Sequence, residues 1–148
     1  MIDLPDPLLT KRIHASLKRG SVLRTQVDLA GKPQYKRLFV LNKNIADGMV
    51  YCVLSTSQVD WYKIHAADPD VHGNFLYYQC GLTPCNPTEE MVINLREVII
   101  LPIDQLVKNL RLKKLEFLPA MPDHEMDDIV KIISSSRLIP DQIKSKIV

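Results

Sequence analysis

Two short runs, Leu38 to Leu41 and Val50 to Leu54, are almost wholly apolar in a chain that elsewhere mixes apolar and polar positions. They are rich in β-branched and aromatic residues, as strands buried on both faces should be. A polar turn around Asp47-Gly48 separates them, so the pattern predicts an antiparallel hairpin. Upstream, Leu23, Thr25, Val27 and Leu29 alternate with Arg24, Gln26 and Asp28, which predicts a half-buried strand over Ser21 to Leu29. Ala30 to Gln34 reads as a loop by its Gly and Pro. Downstream, Met91 to Leu95 and Glu97 to Leu101 predict a strand pair or one long bent strand, stopped by Pro102. Arg111 to Leu118 suits an edge strand.

Helical spacing appears elsewhere. From Pro5 to Leu17, Asp6 can cap and Pro7 can open a helix whose Leu9, Ile13 and Leu17 share one face. Ile103 to Leu110 carries a second stripe. Asp123 is placed to cap a helix from about His124 to Ser134, with Met126, Ile129, Val130 and Ile133 inward. Leu138 to Val148 reads as a last short helix or tail. Val59 to Glu90 mixes Trp61, Tyr62, Phe75, Tyr77 and Tyr78 with Gly and Pro, which predicts short edge strands and long loops. Five or six short strands with helices at the margins predict a mainly β fold, a small closed or nearly closed barrel. It is expected to be one domain over residues 1–148, with an N-terminal helical extension (1–18) and a C-terminal helical segment (122–148).

Composition narrows the function classes. At 148 residues the chain can bury a core without staples. A net charge of +2 permits a polyanionic partner without announcing one. Apolar runs are short and no basic leader opens the chain, which predicts a cytoplasmic protein with no membrane contact. Three cysteines, one inside a predicted strand, fit reduced thiols. His65, His72, Cys80 and Cys85 lack the spacing of a structural zinc site, so no metal and no cofactor are expected. Glycine-rich phosphate loops and paired catalytic carboxylates are missing as well.

The chemistry-bearing residues cluster on the central hairpin. Arg37 begins its first strand, while Ser55, Thr56 and Ser57 end its second. Antiparallel pairing brings the two ends side by side, giving a candidate anion site; the same residues also suit solvated strand flanks and ordinary strand terminators. The loop ahead delivers Lys32 and Lys36 to the same end, where a substrate strand could be gripped. Exposed aromatics beyond Gln58 could stack nucleobases or simply pack at an edge.

Read from Lys18 onward, the segments KRGSVL, KRLFVLNKN, LSTSQ, VINLREVIILPIDQL and MPDHEMDDIVKIISSS together resemble the MazF/PemK toxins of bacterial toxin-antitoxin systems. The resemblance spans about four-fifths of the chain. It implies an SH3-like barrel of the MazF/PemK/CcdB type that forms a homodimer, binds a cognate antitoxin protein and, as in most members, cleaves single-stranded RNA sequence-specifically without a metal. The family's catalytic arginine falls on Arg37 and its catalytic threonine or serine on Thr56. Lys32, Lys36, Ser55, Ser57 and Gln58 are the accompanying substrate-binding candidates. RNA supplies its own nucleophile in the 2′-hydroxyl, so such an enzyme mainly aligns that group and stabilises the charge developing on phosphorus.

Three departures from the family pattern matter. Leu38 replaces the proline that usually follows the arginine, and the loop ahead of it is shorter. Glu97 stands where many members have glutamine, and Ile99 where they have arginine. A carboxylate beside a phosphate repels it unless protonated or acting as base, so Glu97 is the third catalytic candidate. The expected function is a toxin-type endoribonuclease. Its rivals are a toxin-fold module that binds RNA or protein without cutting, and a gyrase-targeting barrel toxin.

Overall fold

The computed structural model describes residues 6–45 and 47–148. Strands β1 (Val22–Leu29), β2 (Lys32–Val40), β3 (Met49–Thr56), β4 (Phe75–Tyr78), β5 (Met91–Pro102) and β6 (Leu115–Leu118) form one antiparallel sheet in the order β4-β5-β3-β2-β1-β6. Helices α1 (Asp6–Ser16), α2 (Val59–His65), α3 (Ile103–Arg111), α4 (Asp123–Ser135) and α5 (Asp141–Ile147) surround it. The fold is mixed α/β, and the expected closed barrel is corrected: β4 and β6 remain separate edges of an open sheet.

Several local expectations also change. The stretch Ala30 to Gln34 is no loop, because Ala30 and Gly31 alone make the turn and Leu29 already faces Lys32. Both turn residues have positive φ, 51° and 77°, as a two-residue hairpin turn of the primed type requires. Pro33 is tolerated because β3 pairs only with Leu38 to Val40, leaving that side of β2 open. Helix α2 was not legible as a helix; of the two expectations for Met91 to Pro102, the structure takes the single long strand. Asp123 is the first residue of α4, with Pro122 as N-cap and no side-chain cap bond. Residues 1–5 and the capping role of the Asp6 side chain lie outside the described residues.

Strand alternation gives the sheet two unlike faces. On one, Phe39, Val53, Ile93 and Leu95 pack against Ile129 and Ile133 of α4 and Ile147 of α5, all fully or nearly buried. Arg19 ties this layer down, its Nε donating to the Leu41 carbonyl at 2.7 Å and its Nη2 to the Ile147 carbonyl. On the other face, α1 and α3 cover Leu23 and Val40, while α2 covers Val92. Between those helices the sheet is bare. Leu29, Leu54, Ile99 and Leu101 are only partly buried there, around a small buried nucleus of Val27, Leu38 and Cys52.

Candidate functional site

A cavity of about 480 Å³ opens on the bare face, beside α2. Lys36 of β2, Ser55 and Thr56 of β3, Gln58, and Asn94, Arg96 and Glu97 of β5 line it, with Trp61 and Tyr62 of α2 as its wall. Register explains most of this set. Leu38 faces Leu54, so Lys36 and Thr56, two residues further along each strand, project to the same side. Leu54 and Thr56 in turn face Asn94 and Val92 of β5.

Arg96 and Glu97 are neighbours in sequence, and a regular strand would send them to opposite faces. They share the cavity because β5 is irregular here. Leu54 faces Asn94 and Cys52 faces Ile99, so Val53 alone stands opposite the four residues Leu95 to Val98. Leu95 and Val98 both pack into the core on the far face. The phase slips between Arg96 and Glu97, turning both outward, as bulges beside functional sites do.

Arg96 is held on several sides. Its Nε donates to Asn94 Oδ1 at 3.3 Å and its Nη2 to the Tyr62 hydroxyl at 3.2 Å. Its guanidinium carbon lies 4.9 Å from the Trp61 ring centre and 5.5 Å from that of Tyr62. The same indole stacks on His65 at 4.4 Å, and His65 Nδ1 sits 2.8 Å from Asp68 Oδ2. Trp61 is thus engaged by its neighbours rather than offered as a bare stacking platform. Among the described residues neither Arg96 nor Lys36 has a carboxylate partner. Two cations therefore line the cavity with no ion pair among the described residues to neutralise them. Thr56 Oγ1 accepts the Gln58 backbone N–H at 3.1 Å, which leaves its own O–H to donate.

The expected convergence of Arg37 with Thr56 is not realised, because consecutive strand positions point to opposite faces. Arg37 follows Lys36 and turns to the closed side, where Nη2 donates to Glu89 Oε1 at 2.7 Å and Nη1 to Met91 Sδ at 3.2 Å. Its side chain is 17% exposed, and Nε is buried without a hydrogen-bond partner among the described residues. Glu89 is itself fixed, since the buried Asn86 side chain donates to the Glu89 carbonyl at 3.0 Å. Arg24 stands directly opposite Arg37, a like-charge pairing eased by Glu116, 3.7 Å from Arg24. Lys32, near the hairpin tip, and Ser57 are exposed and do not line the cavity.

Arg96 was missed in the sequence, although a signal exists: a charged pair, Arg96-Glu97, interrupts the apolar run VINLREVIIL. No three His, Cys, Asp or Glu side chains gather as a metal site among the described residues. Cys52 lies beneath the bare face, fully buried, and that burial pushes its thiol up to about 12. Burial also pushes the Cys85 thiol up, with a Thr83 hydrogen bond and the Arg37 charge pulling the other way. No helix among the described residues is long and apolar enough to cross a membrane. Compared with known proteins, the chain matches no family model and no curated sequence.

Proposed function

We propose that the protein is a toxin-type endoribonuclease that cleaves single-stranded RNA, working from the cavity of Lys36, Thr56, Arg96 and Glu97. One observation carries the reading: two cations with no carboxylate partner among the described residues, a hydroxyl and a carboxylate line one open cavity. In this reading Glu97 takes the proton of the 2′-hydroxyl, whose oxygen attacks the adjacent phosphorus. The bond from phosphorus to the 5′-oxygen breaks, and the departing oxygen gains a proton from Lys36 or water. Arg96 and Lys36 offset the charge that builds on the phosphoryl oxygens, and Thr56 donates a hydrogen bond to one of them. The products are a 2′,3′-cyclic phosphate and a 5′-hydroxyl, a balance that calls for no metal-bound water.

The charge-stabilising role thereby moves from Arg37 to Arg96. Glu97 becomes useful rather than repulsive, because as the base it takes up the hydroxyl proton and loses its charge while charge builds on the phosphoryl oxygens. We further read the sheet as an opened SH3-like barrel of the MazF/PemK type, supported by the β1-β2-β3 meander and the bulged β5. A homodimer and a cognate antitoxin belong to the same reading, as does action in the cytoplasm, where RNA is the substrate.

Long unstructured RNA incubated with the purified protein, with and without chelator, tests the proposal. Cyclic-phosphate ends formed equally in both, and lost in Arg96→Ala, are expected. Cleavage that is equal in wild type and Arg96→Ala, or absent from both, overturns it; RNA retained without cleavage would leave a binding module in its place.

A further inference from the structure

Arg96 is long and charged, and among the described residues no ion pair fixes where its guanidinium lies. A side chain of this kind has many rotamers to lose on ordering. Stabilising a transition state asks for the opposite, a donor already aimed before charge develops. The contacts around Arg96 meet that demand in two stages. Asn94 Oδ1 fixes the root of the side chain, accepting from the Arg96 backbone N–H at 2.9 Å and from Nε at 3.3 Å. Helix α2 holds the tip, through the Tyr62 hydroxyl that accepts from Nη2 and the Trp61 ring 4.9 Å from the guanidinium carbon. Nη1 has no hydrogen bond among the described residues, so the fork keeps donors for a phosphoryl oxygen.

Of these two supports on α2, Tyr62 needs no help, being buried and packed with Phe75 and Val92. Trp61 is different. It is 36% exposed, and its indole is held by ring neighbours, Tyr62 edge-on at 4.9 Å and His65 at 4.4 Å. His65 follows Trp61 by one helical turn, which puts the two on one side of α2. The imidazole is held in turn, its Nδ1 2.8 Å from Asp68 Oδ2. Asp68 is anchored by its main chain: the N–H donates to the His65 carbonyl at 2.9 Å, and the carbonyl accepts from Val71 and His72 at 3.0 and 2.8 Å. An acid just past the carboxyl end of a helix is repelled by that end rather than placed by it. The His65 and Asp68 side chains are also well exposed, so their pairing adds little to stability. What the pair does fix is the imidazole, and through it the indole.

We infer that His65, oriented by Asp68, is a positioning residue that acts through Trp61 to hold the Arg96 guanidinium in place. What Arg96 stabilises rests on the ribonuclease reading of the cavity; the hold on Arg96 is a property of the protein alone. A relay of this kind, from a turn through two stacked rings to a cation, preorganises a charge that no carboxylate neutralises. It keeps the guanidinium aimed without drawing its charge away from the phosphoryl group.

NMR of the protein without RNA reads the hold directly, through the order parameter of the Arg96 Nε–H bond. Trp61, the one tryptophan of the chain, reports its own motion by time-resolved fluorescence anisotropy. His65→Ala should lower the Arg96 order parameter and add fast indole motion, and Asp68→Ala should do the same to a smaller extent. His65→Phe, which keeps a flat ring against the indole, should restore both readings. An Arg96 equally ordered in wild type and His65→Ala overturns the inference. Single-turnover cleavage is the second readout: His65→Ala should cut about tenfold more slowly at saturating RNA, well within what a misplaced group costs, with RNA affinity nearly unchanged. The same change made in Arg96→Ala should slow cutting no further. A merely structural role for His65 would slow both backgrounds alike, and that result overturns the relay while the ribonuclease stands. If wild type cuts nothing, the ribonuclease reading fails, and the order parameters alone decide whether His65 positions Arg96.

Discussion

Lys36 and Arg37 are adjacent in one strand and alike in charge, yet the sheet sends them to opposite fates. Arg37 goes to the closed face, where α4, α5 and a loop fixed by Asn86 leave it bound to Glu89. Lys36 goes to the open face, lines the same cavity as Arg96, and has no carboxylate partner among the described residues. The closed face uses polar groups to hold the fold together, whereas the open face leaves them available. A basic residue at a strand end therefore acquires a role only once its face is known.

The largest expected contrast is in packing. Phe39→Ala, on the closed face and fully buried, is expected to cost about 3–5 kcal/mol. Leu54→Ala, half-covered on the open face, should cost clearly less, and urea unfolding of both variants compares them. Equal losses would mean that the open face is packed like a core.

Next in size is the rate. Arg96→Ala is expected to slow RNA cleavage about a hundredfold to a thousandfold, the usual loss for one transition-state donor. Arg37→Ala should leave the rate of the folded protein close to wild type. Single-turnover assays below the melting temperature separate the two; the reverse order would return the catalytic role to the closed face.

Alkaline pH sharpens the contrast from beneath the open face. The buried Cys52 thiol stays protonated in the folded state to about 12, while the unfolded chain ionises near the ordinary thiol value of about 8.5. Its contribution is whole below that value and drains away as pH rises toward 12, by up to about 1.4 kcal/mol per pH unit. Tyr78, pushed up by burial and by its bond to Glu125, acts in the same direction. Denaturant melts of wild type and Cys52→Ala between pH 8 and 11 should show a shallower decline in the variant.

The smallest effect is the stability cost of Arg37→Ala, about 1 kcal/mol. Its ion pair is lost, but Glu89 is half-exposed and can be hydrated, and the unpartnered Nε disappears too. Thermal unfolding checks it.

Much of this arrangement was legible in the sequence. Alternation gave β1, the paired apolar runs gave β2 and β3 in the correct antiparallel sense, and helical spacing gave α1, α3 and α4. Ser55, Thr56, Gln58, Lys36 and Glu97, five of the candidates named from the sequence, all line the cavity. What failed was facing: pairing strand ends says which residues are near, but only period-two alternation says which share a side. Helix α2 escaped because VDWYKIH is short, has no side-chain cap bond, and takes its place from Val59 and Tyr62 packing on Val92. The bulge escaped because it depends on pairing between β3 and β5, which adjacent residues do not encode.

That bulge also sets how this chain can vary in length. Four residues of β5 cross a gap that Val53 alone spans, and the slip between Arg96 and Glu97 restores the inward and outward order beyond it. Removing Arg96 or Glu97 would leave Asn94 and Ile99 an even number of residues apart, so plain alternation would keep both flanks in phase with β3 and the slip would vanish. Removing both would bring back an odd spacing and call for a slip again. Loss of one residue is therefore the route by which this strand can become regular, and it takes one of the two outward charges with it.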